Sequence, residues 1–397
     1  MSDDDIVIEA ASGIDTVPAA EWDALLDAQA APTPFMRHAY LHALEASGSA
    51  EPATGWQPLV LTLRGGPGGP LLGAAITYLK THSYGEYVFD WAWADAYRRY
   101  GRRYYPKLLV AVPFTPVPGS RLLARDAPTR AHLAAAIGAL ARQAKCSSVH
   151  LLFGDDADFA AASQAGWMLR HGVQFHWHNR EPMPYTDFAD FLATLQRDKR
   201  KKIQQERRRV AEAGVTFATR AGHDITAADW DFFHRCYEAT YAAHHSTPYL
   251  TRDFFARMAT AMPQAWTLFV ASRDGLPVAC SLIAVDRAQG AAYGRYWGTV
   301  DPLRNVHFEA CYYQPIAWCI AQGLRRFEGG AQGEHKMARG LMPVRTSSAH
   351  WVADEQFAVA IGEHLAAEGQ AIDEYLDELD DRSPFKGGGG PGGAPPS

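Results

Sequence analysis

Apolar residues recur in two periods along this chain, every second position over short runs and every third or fourth over longer ones, and the periods alternate. Residues 6–8 read as a strand, followed by an amphipathic helix around Trp22, Leu25 and Leu26. PTPFMRHAYLHALEASG reads as a helix with Thr33 at its cap and Pro34 in its first turn. Residues 104–125, apolar and proline-rich, predict buried strand and loop. RAHLAAAIGALARQAKCSSVHLLFG then predicts a helix feeding a strand, and a strand at 174–178 closes the first half. The second half opens with DFADFLATLQRDKRKKIQQERRRVAEAG, whose narrow apolar stripe (Leu192, Leu195, Ile203, Val210) predicts one long, sparsely buried helix. GVTFAT is a strand, and 227–262 holds two helices parted by His245-Ser-Thr-Pro248. TLFVASRDG and LPVACSLIAV form a hairpin pivoting on Asp274-Gly275. An aromatic strand, a helix ending at Gly323, the strand RRFEGG, the strand SSAHWVAD and a helix over 355–380 complete the half. The Gly/Pro-rich tail from Ser383 is expected to be disordered.

Two stretches read as copies of one unit, GGPLLGAAITYLKTHSYGEYVFDWAWA and DGLPVACSLIAVDRAQGAAYGRYWGTV. Gly73 aligns with Cys280, Gly85 with Gly294 and Trp91 with Trp297, a register of about 207 residues. Each copy predicts a hairpin whose second strand is aromatic. The doubling implies two similar mixed α/β halves, 1–185 and 186–382, facing each other across a ligand cleft, with 383–397 as tail.

Composition narrows the chemistry. Hydrophobic residues make up 47% and charged residues 21%, the balance of a soluble globular protein, and a net charge of −6 makes any nucleic-acid contact local. No apolar run reaches the ~20 residues that span a bilayer. The acidic start MSDDD and five scattered cysteines without a CxxC pair point to a cytoplasmic protein with reduced thiols. His176/His178 and His38/His42 have metal-like spacing but no third clustered ligand, so no metal is expected. GxSxG is missing, and GxGxxG spacing occurs only within the Gly/Pro-rich tail, which argues against a hydrolase elbow or a dinucleotide fold.

Polar candidates cluster in four places. Alternation on a strand puts Tyr84, Glu86 and Asp90 on one face, opposite Tyr87, Phe89 and Trp91, near Lys80. Either that face is solvated over packed aromatics, or it lines a ligand cleft with Lys80 on a phosphate or carboxylate. In the second copy Tyr293, Arg295 and Trp297 share one face, and Gly294, Tyr296 and Gly298 the other. Glu309 and Tyr313, four apart, share one face of the next helix, as ordinary surface or as site. GGAQGEHKMARG carries Gln332, Glu334, His335, Lys336 and Arg339 between glycines, either a mobile loop or a site border. Between Arg197 and Arg209 eight of thirteen residues are basic, among them Lys199, Arg200, Lys201, Lys202 and Arg207. That run is either a solvated helix or a phosphate-contacting arm.

The doubled order, with the strings KRKKIQQERRRVAEAGV, YGRYWG, HFEACYYQPIAWCIAQGLRRFEGGAQGEHKMARG and YLKTHSYGEYVFDWAWADAYRRYG, resembles FemAB-like proteins, the Fem-type branch of Gcn5-related N-acyltransferases (GNAT), from Pro34 to about Pro384. The resemblance implies two GNAT domains in tandem with the basic helix between them. It also implies transfer of an acyl or aminoacyl group to an amine, with backbone N–H groups around 278–284 meeting the oxyanion. The favoured donor is aminoacyl-tRNA and the acceptor a peptidoglycan precursor or other amine. A rival is an acetyl-coenzyme A dependent N-acetyltransferase; the stretch Arg98-Arg-Tyr-Gly101-Arg-Arg103 departs from the pyrophosphate loop [QR]-x-x-G-x-[GA] at its last position. A non-catalytic binder of RNA or of a cell-wall precursor is the rival of another class. Acyl transfer to an amine needs a base, for which Glu334, His335 and Glu309 are the candidates. Substrate contacts fall to Lys80, Tyr84, Glu86, Asp90, Trp91, Arg295, Tyr296, Trp297, Tyr313, Gln332, Lys336 and Arg339. The donor is a co-substrate with no permanently bound cofactor, and the expected state is a monomer.

Overall fold

The computed structural model describes residues 6–331 and 333–387. Gln332 and residues 388–397 of the expected tail lie outside them. The chain forms two compact units, Met1–Gly172 with Thr346–Asp373, and Val173–Arg345 with Glu374–Ser397.

The first unit contains β1 (Ile6–Ala11), α1 (Ala19–Asp27), α2 (His38–Ala46), β2 (Trp56–Gly65), β3 (Leu71–Lys80), α3 (Trp91–Arg99), β4 (Lys107–Val110), β5 (Leu123–Ala124), α4 (Ala127–Gln143), β6 (Ser148–Leu152) and α5 (Asp156–Gln164). Strand β7 (Met168–His178) carries the chain into the second unit. There follow α6 (Phe188–Thr194), α7 (Arg197–Glu212), β8 (Val215–Ala221), α8 (Ala227–Ala243), α9 (Arg252–Ala261), β9 (Trp266–Arg273), β10 (Leu276–Asp286) and β11 (Ala291–Thr299). A helix then starts as α10 (Val306–Phe308), loosens into a π turn at Glu309–Tyr313 and resumes as α11 (Gln314–Ala321). β12 (Arg326–Ala331) and β13 (Met342–Val352) follow, and α12 (Glu355–Asp381) ends the fold.

Strand order shows the duplication. The first unit reads β1-β2-β3-β4-β6-β13 and the second β8-β9-β10-β11-β12-β7. In each, three antiparallel pairings lead to one parallel pairing and then a last antiparallel one. The last strand of each order comes from the far side of the sequence. The strand expected to close the first half, 173–178, therefore pairs with β12 in the second unit, and 346–352, expected in the second half, returns to pair with β6 in the first.

The apolar stripes fill these sheets as the periodicity requires. Leu133, Ile137 and Ala141 of α4 pack with Leu108, Val110, Val149 and Leu151, while Ile316 and Ile320 of α11 pack with Phe269, Ile283, Val285 and Phe327. At roughly 1.5–3 kcal/mol per fully buried large side chain, such layers supply the main stabilisation of each half. Asp274 and Gly275 both take positive φ (53° and 78°), the backbone that a two-residue turn between twisted strands demands.

Besides that exchange, four expectations change. The first copy has no aromatic strand: Gly85 (φ 81°) and Tyr87 (φ 62°) break extension after β3, 81–90 is irregular, and α3 begins at Trp91. The 207-residue register thus holds for β3 and β10 but fails beyond them. The long helix at 187–213 is two helices, because Leu195 and Gln196 are extended; Leu195 pairs with Phe385, and Gln196 N–H donates to the carbonyl of Pro384. That contact also corrects the tail, whose first residues Ser383 and Phe385 are buried. Thr33 makes no capping bond, since Pro34–Met36 is a 3-10 turn and α2 starts only at His38.

Candidate functional site

In the first unit the irregular segment after β3 folds its acids inward. Lys107, at the start of β4, is fully buried, and its Nζ donates to Glu86 Oε2 at 2.7 Å, to Ser83 Oγ at 2.9 Å and to Asp90. Tyr104 Oη donates to Asp90 Oδ2 at 2.6 Å and lies 3.2 Å from His150 Nε2. His150 and His350 face each other across β6 and β13, Nδ1 to Nδ1 at 2.9 Å, so one ring donates and the other accepts. Ser148 and Ser348 each hold an Nε2 at 2.8 Å. Burial keeps both rings neutral, pushing His350 down to about 3. Burial lifts Glu86 to about 7 against the pull of Lys107. Burial also opposes ionisation of Asp90, but the charge and hydrogen bond of Lys107 with bonds from Ser83 and Tyr104 hold it below the usual range.

Lys80 is not a surface phosphate contact. It is wholly buried with Nζ 3.5 Å over the Trp56 ring, and burial lowers it to about 7. Lys80, Glu86 and Asp90 thus form one cluster, whereas Tyr84 (58% exposed) and Trp91 (42% exposed) pair with each other at 5.1 Å on the outside.

In the second unit β11 carries a bulge. Leu282 pairs with Tyr296 and Ile283 with Gly294, leaving Arg295 as the extra residue. The expected face assignment fails there, because Gly294 and Tyr296 pair with adjacent residues and so point to opposite faces. Tyr296 packs among Phe233, Tyr237 and Phe255, and Trp297 lies against His307. β11 and β12 pair in parallel only over three rungs, ending at Tyr293–Glu328. Past Glu328 the register of β12 against β7 shifts as well, and Lys336 Nζ donates to the carbonyls of Gly329 (2.7 Å) and Gly330 (3.1 Å). Lys336, lowered to about 8 by burial, therefore braces the departing strand.

At that last rung sits Glu328, 5% exposed. Arg326 Nε donates to its Oε1 at 3.1 Å, while Oε2 has no hydrogen-bond partner. His176, opposite on β7, shares its Nε2 proton with Gln174 Oε1 at 3.2 Å and stands 3.9 Å from Oε2. Burial raises the Glu328 carboxyl to about 7, against the charges of Arg326 and Arg295.

The other candidates separate. Glu309 is buried in the π turn, where Arg207 Nε (3.1 Å) and Gln314 Nε2 (2.8 Å) donate to it. Arg207 is thereby taken from the expected phosphate arm, and its guanidinium also covers Phe188. Arg339 donates to Glu206 at 3.0 Å and stacks on Phe308, and Tyr313 donates to the same Glu206. Glu334 is exposed, accepting from Tyr375. His335 meets Tyr312 Oη at 3.2 Å and is lowered by burial and the charges of Arg339 and Lys336. Glu309, Glu334 and His335 form no common triad in these contacts. On α7, Lys201, Lys202, Arg208 and Arg209 are exposed, while Lys199 and Arg200 are half-buried. A cleft of about 660 Å³ lies beside this helix, with Phe188, Leu192 and Phe217 among its apolar lining and Arg207, Arg208 and Glu309 among its polar lining.

Sequence reasoning missed Lys107, His150, His350 and Glu328. One signal was present: Ser147-Ser148-Val149-His150 recurs as Ser347-Ser348-Ala349-His350, the two strands that pair. Among the described residues no group of three or more His, Cys, Asp or Glu is placed to hold a metal ion, and no helix is long and apolar enough to cross a membrane.

A family model for FemAB-like proteins, described as peptidoglycan biosynthesis/recognition, matches residues 13–387. No curated protein matches the sequence. Among solved structures, L-PGS from Bacillus licheniformis is similar with a TM-score of 0.52 and 10% identity, over 89% of this chain and 97% of that one. A conserved protein of unknown function from Bacteroides thetaiotaomicron gives 0.51 and 9%, over 85% and 98%. A tandem GNAT protein from the clavulanic acid biosynthesis pathway gives 0.44 and 14%, over 88% and 99%. The same strand order occurs in both units, and with nearly all of its length matched the chain belongs to the FemAB-like family.

Proposed function

We propose that the protein is an acyltransferase that moves an acyl group, by preference an aminoacyl group from aminoacyl-tRNA, onto an amine of a peptidoglycan precursor. The observation that carries this reading is the FemAB-like match over residues 13–387. Geometry supports it at two points. β11 and β12 part after three parallel rungs, releasing strand edges beside a buried carboxylate. Oriented N–H groups at such an edge stabilise the charge that develops on an acyl oxygen. The exposed cations of α7 (Lys201, Lys202, Arg208, Arg209) supply sequence-independent phosphate attraction of the kind RNA requires. In this reading the donor is a co-substrate, no cofactor stays bound, a monomer suffices, and the reaction runs in the cytoplasm where charged tRNA is found.

The test offers the purified protein labelled aminoacyl-tRNA or labelled acetyl-coenzyme A, each with peptidoglycan precursors as amine acceptors. Label in an amide of the precursor from the first donor is the expected result. Product from acetyl-coenzyme A alone would replace the donor assignment. Tight precursor binding without product from either donor would overturn transfer in favour of a binding protein.

A further inference from the structure

The two units place a comparable polar rung at the same point of their sheets, but they finish it differently. In the first unit His150 on the parallel strand faces His350 on the last strand, and Ser348, two residues before His350, holds its Nε2. In the second unit Glu328 on the parallel strand faces His176 on the last strand, and Gln174, two residues before His176, holds its Nε2. The first rung is closed, because the rings bond each other directly at 2.9 Å. The second is open. His176 gives its Nε2 proton to Gln174 and stays 3.9 Å from Glu328, whose Oε2 is left buried and unbonded. An unpartnered buried carboxylate oxygen costs about 1–3 kcal/mol or more, so it persists where another group is to donate to it.

We propose that Glu328 is the base that takes the proton from the acceptor amine, with Arg326 and the Gln174–His176 pair as positioning residues. This rests on the transfer reading above. An acceptor ammonium approaching the parting of β11 and β12 donates to Oε2, the one carboxylate oxygen that Arg326 does not occupy. Glu328 takes one proton, and the freed nitrogen lone pair attacks the donor's carbonyl carbon. A C–N bond forms and the C–O bond to the tRNA ribose breaks. The amine's remaining surplus proton and the alkoxide's need for one cancel, leaving an amide and a free hydroxyl, and Glu328 returns its proton to solvent.

Glu86 and Asp90 of the first unit also keep one unbonded oxygen each, but their other oxygens are neutralised by the ammonium of Lys107. The groups that face Glu328 are Arg326 on its own strand, Arg295 and Tyr293 on β11, and His176 on β7; His178 and Lys336 set the field around His176. Titration of Glu328 near 7 then places a base in its working form at neutral pH.

The test compares wild type with Glu328→Gln and Glu328→Asp, each checked for an unchanged thermal melt. Glu328→Gln is expected to lower kcat by about 10²–10⁴-fold with donor KM within about threefold, and to abolish the acid limb of the kcat/KM profile. Glu328→Asp should keep that limb while losing rate. Gln174→Ala frees the His176 proton for Oε2, stabilising the carboxylate, and should move the limb to lower pH. A Glu328→Gln enzyme within about fivefold of wild type, with the acid limb intact, overturns the base and leaves the transfer reading standing. No product from wild type overturns the transfer reading and the base with it. Carbon-13 titration of labelled glutamate gives a readout free of turnover: a carboxyl near 7, lost in Glu328→Gln, is expected, and Glu328 titrating near 4.5 with the surface acids would overturn the assignment.

Discussion

Replacing Lys107 by methionine tests whether the first unit is organised around a buried charge. Lys107 is wholly buried and touches Glu86 at 2.7 Å, with Asp90 also in contact. At an effective dielectric of about 20, a pair at that separation has a gross attraction of roughly 6 kcal/mol. Desolvating the ammonium cancels much of this, so the triad adds little net stability as built. Deleting only the cation is different, because it leaves two carboxylates buried within reach of each other. The expected loss is about 3–5 kcal/mol. In a unit of about 200 residues this lowers Tm by roughly 6–20 °C. Differential scanning calorimetry of Lys107→Met reads it directly, and the loss should shrink as the pH falls toward about 7, where Glu86 takes a proton. Combining Lys107→Met with Glu86→Gln and Asp90→Asn removes the stranded charge and should recover most of the stability. A single variant losing less than ~1 kcal/mol, or a triple variant no better than the single, would refute the reasoning.

Four further outcomes are expected. Neutralising Lys201, Lys202, Arg208 and Arg209 together should reduce the slope of log K against log salt for tRNA binding by about 3, with stability changed by less than ~0.5 kcal/mol; Arg207→Ala should instead destabilise by ~2–4 kcal/mol, because it leaves the buried Glu309 without its cation and with the neutral amide of Gln314 as donor. A Cβ at Gly298 would stand 1.9 Å from the backbone oxygen of Cys236, so Gly298→Ala should cost about 3 kcal/mol or more in urea denaturation. His350 is neutral when folded down to about pH 3 but titrates at 6.5 when unfolded, so the unfolded state binds more protons in between. Stability attributable to it then falls by up to ~1.4 kcal/mol per pH unit below 6.5, and a His350→Gln variant should show a flatter acid limb in its Tm–pH curve.

Much of the architecture was legible because local periodicity and turn chemistry decide it. The α4-to-β6 step, the Asp274-Gly275 turn and the succession from β8 to β12 follow from the residues nearest in sequence, whereas the exchange of 173–178 and 346–352 between the halves does not. What escaped was decided at long range. The break at Leu195–Gln196 depends on Phe385 and Pro384, almost 190 residues away, and no pattern within 187–213 announces it. The segment 81–90 alternates like a strand, yet its acids turn inward because Lys107 awaits them from an apolar, proline-rich stretch that reads as plain core. Arg295 alternates correctly with Tyr293 and Trp297 in the sequence, and only the pairing with β10 shows it to be the extra residue of a bulge.

The exchange of last strands explains why the halves diverge in chemistry while agreeing in fold. Main-chain pairing fixes the strand order and is indifferent to side chains, so both units keep the same six-strand succession. The side chains on the last strand are free to differ, because residues 173–178 and 346–352 are separate pieces of sequence. In one unit that freedom put a histidine opposite a histidine, a pair that satisfies itself and needs no ligand. In the other it put a histidine, already committed to Gln174, opposite a carboxylate. Closing the second rung should then be within reach of a single substitution. Glu328→His recreates the ring-to-ring arrangement of the first unit; it should preserve or raise the Tm of the second unit while abolishing transfer. A less stable Glu328→His protein, or one that still forms product, would show that the two rungs are not alternatives of one design.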